Sequence, residues 1–115
     1  MAVALITCSG LSNVGRLTTA VGQQLLMRRP GRTEWVRAQA GPEAIADAAD
    51  GADFVIALDG CEDSCGSRKA AEAGIKPAVR IMAIDLGIVK DGRAEVMYSE
   101  IEMVIHTVLE AVDGI

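Results

Sequence analysis

Aromatic side chains are nearly missing from this 115-residue chain: they make up 3%, with one Trp, one Tyr and one Phe. Proteins that grip nucleic acid need a basic patch and usually stacking aromatics. Here 11 Lys and Arg face 16 Asp and Glu, a net charge of −5, so a nucleic-acid partner is not expected. No apolar run approaches the roughly 20 residues that span a bilayer, and residues 1–8 carry no charged leader or cleavage site. The expectation is therefore a cytoplasmic protein with no membrane partner and no signal peptide. Cysteine is scarce too. Three is an odd number in a chain without export signals, which favours reduced thiols in a metal or redox role over a disulfide framework.

What is present is aliphatic. Half the residues are apolar, enough for one core in one domain spanning residues 1–115, and Ala, Val, Ile and Leu must fill it. Arg28, Arg29 and Arg32 cluster at the end of a helical segment, where positive charge suits the helix dipole. They read as a solvated face.

Periodicity then orders the elements. Apolar runs predict strands near 2–7, 33–38, 53–58 and 78–84. Val14, Leu17, Val21 and Leu25 recur at helical spacing until Pro30-Gly31 stops the helix. Pro42 opens a second helix, with Gly51 beyond its end, and a third covers about 64–73, ending at Gly74. In the last helix Ser99 and Glu102 fit a capping box, and Ile101, Val104, Ile105, Val108, Leu109 and Val112 share one face. Strands alternating with helices predict a three-layer α/β/α sandwich around a four-stranded parallel sheet, with order 2-1-3-4. The long connection 86–98 reads as a solvated loop or a flap.

In such a sheet, ligands bind beyond the carboxyl ends of the strands where the strand order switches, here between the first and third strands. Cys8 follows the first strand. Asp59-Gly60-Cys61-Glu62-Asp63-Ser64-Cys65 follows the third, and Asp85 ends the fourth. All three cysteines thus fall on two neighbouring loops. A lone cysteine after a strand is usually a small buried hydrophobe, and C-x-x-x-C alone is weak, but their convergence on one edge points to function. Three chemistries fit. One is a metal site, with zinc suited to Cys8, Cys61 and Cys65 as thiolates. Another is phosphoryl transfer on Cys8, placed between a strand and a helix amino end. A tyrosine-phosphatase-like loop, however, needs an arginine six positions after its cysteine, where Val14 stands and Arg16 comes two later. The third is dithiol redox exchange between Cys61 and Cys65, at a spacing one residue longer than the usual C-x-x-C. Asp59 and Asp85 read as helix caps or as groups that orient a ligand. Ser9, Ser12 and Asn13 read as caps and loop formers, with anion binding as the sharper alternative. His106, the sole histidine, lies mid-helix beside Glu110 and is not expected to ligate.

The runs Cys8-Ser9-Gly10-Leu11-Ser12-Asn13-Val14-Gly15-Arg16-Leu17-Thr18, Asp59-Gly60-Cys61 with Cys65, Ala73-Gly74-Ile75 and Asp85-Leu86-Gly87-Ile88 resemble the DGC-domain family. The likeness extends in order over about residues 4–90. It implies a candidate zinc-binding domain with four cysteine ligands, whose biochemical activity is not established. Cys8, Cys61 and Cys65 match three of those ligands. The fourth family cysteine precedes an Ala-Gly pair that matches Ala40-Gly41, and Ala38 holds its place. The resemblance thus implies Zn2+ as cofactor, with one ligand position left to water, an aspartate or a substrate, or else weakened metal binding. The partner in that case is a small ligand or a metal donor or acceptor.

Overall fold

Residues Val3–Thr7 form strand β1, with no exposed member. A strand buried on both faces must lie inside a sheet covered by helices on each side. The computed structural model, which describes residues 2–10, 12–60, 65–90 and 95–113, shows that arrangement. Helix α1 (Asn13–Arg28) leads to β2 (Thr33–Arg37) and a 3-10 turn at Ala38–Ala40, and α2 (Pro42–Ala49) leads to β3 (Phe54–Asp59). Then follow α3 (Cys65–Glu72), β4 (Val79–Met82), a 3-10 turn at Ala83–Leu86, and α4 (Tyr98–Asp113). All strand pairs are parallel, in the order β2-β1-β3-β4, with Leu5 opposite Trp35 on one side and Ile56 on the other. The topology is the one expected from the alternation of apolar runs.

Alternate residues of β1 serve opposite layers. Val3 and Leu5 join Leu17, Val21, Ile56, Leu58, Val104 and Val108 in the core beneath α1 and α4. Ile6 turns the other way, to Val36, Ile45 and Ala70 beneath α2 and α3. Fully burying a side chain such as Leu5 or Ile6 contributes about 1.5–3 kcal/mol. The arginines after α1 tie the first layer together: Arg28 pairs with Glu102, and Arg29 Nη2 meets Asp113 Oδ2 at 3.2 Å. The Arg28 guanidinium holds the Glu102 carboxyl below its usual range. Two arginines of the expected solvated face are therefore α1–α4 clamps.

Some boundaries differ from expectation. The fourth strand stops at Met82, because the Ile84 N–H donates to Gly60 O at 3.3 Å and curls the chain into a turn. Asp85 lies in that turn rather than ending the strand. Ala38 likewise opens a 3-10 turn after β2. The cap of α4 sits two residues earlier than the Ser99 and Glu102 pattern suggests. The Met97 N–H donates to Glu100 Oε1 at 3.2 Å, which leaves Glu102 for Arg28. Of the long connection, Ile88 is buried in the core and Val89 O accepts from Asn13 Nδ2 at 2.8 Å. Ile88 and the Asn13 bond anchor the connection at the start of α1, while Gly87, Val89, Lys90, Glu95, Met97 and Tyr98 are exposed, as a solvated loop requires; residues 91–94 lie outside the described set. No described helix is long and apolar enough to cross a membrane.

One close contact sets the distance between α1 and β2. A Cβ on Gly22 would stand 2.5 Å from Cε2 of Trp35, and Trp35 is pinned by its Nε1–H donating to Thr7 Oγ1 at 2.9 Å. Gly22→Ala should therefore destabilise the protein by about 1–3 kcal/mol through overpacking. Urea unfolding followed by the fluorescence of this single tryptophan measures it.

Candidate functional site

The carboxyl edge of β1 is built by a short polar chain. The Cys8 N–H donates to Leu58 O at 3.0 Å, extending the ladder by one residue. Ser9 then takes a left-handed conformation, φ +49°, which is costly for a residue with a side chain. Its surroundings hold it there. The Ser9 N–H donates to Thr18 Oγ1 at 2.9 Å, its hydroxyl lies 2.6 Å from Thr7 Oγ1, and Gln39 Nε2 donates to Cys8 O at 2.7 Å and Ser9 O at 3.2 Å. The kink turns Cys8 along the loop, where a Cβ on Gly10 would lie 3.7 Å from its sulfur.

Two glycines let the two loops meet. A Cβ on Gly15 would fall 2.6 Å from the Gly10 backbone, and one on Gly60 would fall 2.9 Å from Val14. With those atoms absent, the backbone N–H groups of Gly60 and Gly10 both reach the Cys8 thiol. They favour its thiolate, but burial opposes them more strongly. The neighbouring Cys65 and Asp59 act in the same direction as burial, so the thiol is pushed up from its ordinary range. Cys8 thus sits in a polar niche with two backbone donors, beside Cys65 and Asp59.

Asp59 is 1% exposed and is used locally. Its Oδ1 accepts from the Gly66 N–H at 2.7 Å and its Oδ2 from the Ser67 hydroxyl at 2.7 Å, which caps the first turn of α3. Arg80 Nε donates to Ser67 Oγ at 2.9 Å. A Cβ on Gly66 would stand 2.9 Å from Asp59 Oδ1, so the glycine permits this close cap. The cap sets where α3 starts, and hence places Cys65, its first residue. Cys65 is half-buried, and Arg68 Nη2 lies 3.5 Å from its sulfur.

Each sequence-predicted site residue can now be placed. Cys8 and Cys65 stand on the same edge as free thiols, close enough for Cys65 to act on Cys8. Cys61 lies outside the described residues, as do residues 62–64. Ser12 is the N-cap of α1, accepting from the Gly15 N–H at 3.3 Å. Asn13 ties down Val89, and Ser9 forms the kink. Asp85 is exposed and shares a cleft of about 230 Å3 with Asp59, Arg80, Ile81 and Met82. His106 points away on α4, with its Nε2 2.7 Å from Glu110. Among the described residues, no group of three His, Cys, Asp or Glu side chains forms a metal-holding cluster.

Several positioning residues gave no sign in the sequence. Gln39, Thr18, Ser67 and Arg80 act on groups nine to 31 positions away or across a strand crossover. Thr7 was the one visible hint, as a hydroxyl ending an otherwise apolar run.

Residues 4–108 match the family model described as DGC domain. Neither the curated proteins nor the solved structures yielded a match.

Three expectations follow from this geometry. Asp59→Ala leaves the Gly66 N–H and the Ser67 hydroxyl without their acceptor and should cost about 1–3 kcal/mol, read as a lower urea midpoint. For Cys8, a folded-state value above the unfolded one means that the stabilisation is complete below the ordinary thiol range. It is lost as pH rises through the higher folded value. Stability of the metal-free protein should fall on that alkaline limb, and Cys8→Ala should flatten the fall. At neutral pH iodoacetamide should label half-buried Cys65 before Cys8, as peptide mass spectrometry would show.

Proposed function

The chain belongs to the DGC-domain family, and from that premise we propose that it is a zinc-binding protein whose ligands are Cys8, Cys61 and Cys65. The observation that carries this reading is the Cys8 niche. A buried thiol placed among two backbone donors, a second cysteine and a carboxylate is an arrangement that a bound cation would relieve. Soft sulfur donors of this kind suit zinc. Asp59 acts by fixing the α3 terminus that bears Cys65, and Gln39 by fixing the loop that bears Cys8.

Zinc bound by three thiolates would carry net negative charge, which makes it a weak Lewis acid for hydrolysis. The function that follows is to hold or hand on the metal, or to activate a small thiol as fourth ligand, in the cytoplasm. Phosphoryl transfer through Cys8 has less support. Val14, at the position where a phosphatase-like loop needs its arginine, is fully buried, and the Cys8 thiol is raised rather than activated.

Zinc titration against a chromophoric chelator tests the reading. Cys8→Ser and Cys61→Ser should each abolish or greatly weaken binding, and His106→Ala should leave it unchanged. Ala38 is buried at the start of the turn whose Gln39 side chain grips the Cys8 loop, so Ala38→Cys should tighten binding. Affinity should climb with pH, about tenfold per unit for each proton displaced, until the thiols are ionised. Unchanged affinity in Cys61→Ser would overturn the site.

A further inference from the structure

At the opposite edge of the sheet from the cysteines, a cavity of about 210 Å3 opens between β1 and the carboxyl ends of α1 and α4. Its floor is core: Leu5, Leu25 and Val108 line it, and each is at most 3% exposed. Half-buried Leu109 and Val112 form a wall. Protein interiors normally close around such side chains at crystal-like density, and apolar cavities of similar size stay dry and accept hydrophobic guests.

The mouth is charged. Arg29, Arg32 and Asp113 line it, an excess of one positive charge in a chain of net charge −5. Arg29 is engaged with Asp113 at 3.2 Å. The backbone N–H of Arg32 donates to Arg29 O at 3.2 Å, which holds the turn that sets both arginines at the rim. The ligand complementary to this site has an unbranched or lightly branched hydrocarbon body and a single anionic head.

We propose that this cavity binds the anion of a medium-chain fatty acid, with its carboxylate at Arg32 and its alkyl chain against Leu25, Val108 and Val112. This site is separate from the cysteine edge and does not rest on zinc binding.

Calorimetric titration of the full chain with sodium octanoate, octylammonium chloride and octanol tests the proposal. Octanoate should bind saturably at one site, and octylammonium at least about tenfold more weakly, as expected from exchanging a charge-assisted bond for a repulsion. Arg32→Gln should lower octanoate affinity by about tenfold and leave octanol unaffected. Val112→Trp, at the half-buried end of α4, should fill the cavity and abolish binding of both. If that variant unfolds, Leu109→Phe serves the same purpose. Zinc affinity should be unchanged in Arg32→Gln, which separates this site from the metal reading. Absence of saturable octanoate binding, equal binding of octylammonium, or octanoate affinity indifferent either to Arg32→Gln or to cavity filling would overturn the proposal.

Discussion

The loops after β1 and β3 can both pack against the start of α1 only because glycines stand at the points of closest approach. At Gly15 a single added carbon would lie 2.6 Å from the Gly10 backbone, and at Gly60 it would lie 2.9 Å from Val14. Close approach of backbone to backbone is what lets two separate amides face one sulfur. If either loop were pushed outward by the width of a methyl group, Cys8 would be an ordinary buried thiol. The Cys8 niche at the carboxyl edge of the sheet follows from that approach, and the Asp59 cap then places α3 beside it.

Polar bonds then hold the geometry that the glycines permit. The Trp35 indole donates to Thr7, whose hydroxyl meets Ser9, whose amide donates to Thr18, whose hydroxyl donates to Gly15 O at 2.7 Å. This chain runs from β2 through the Cys8 loop into α1. Its members are buried or half-buried, where an unpaired hydroxyl would cost about 1–3 kcal/mol. Among the described residues no buried side-chain polar atom lacks a partner. The left-handed Ser9 is held in place by this network.

The two ends of the sheet differ in character. The carboxyl edge has small residues, thiols and carboxylates, with Arg68 and Arg80 beside them. The amino edge has an aliphatic hollow with arginines at its lip, arising where α1 and α4 end. Exposed ion pairs from Arg28 and Arg29 bridge those two helices beside the hollow, a small addition to the packing that holds the helix ends.

Much of the fold was legible in the residues themselves. The apolar runs at 2–7 and 53–58, the helical spacing from Val14 to Leu25, and Pro42 and Gly51 around α2 sufficed for a parallel sheet and its order. Right-handed crossovers leave few other ways to cover strands of this kind. The same order brought Cys8 to the edge that carries Cys65. The finer placement belonged to the tertiary structure. Whether Glu100 or Glu102 capped α4 depended on Arg28, 74 positions from Glu102. Where β4 ended depended on Gly60 O, and what held Cys8 depended on Gln39 from another loop. Local pattern reports the period of burial along one element. Hydrogen bonds, close contacts and cavities between elements depend on distances that exist only once the layers have packed.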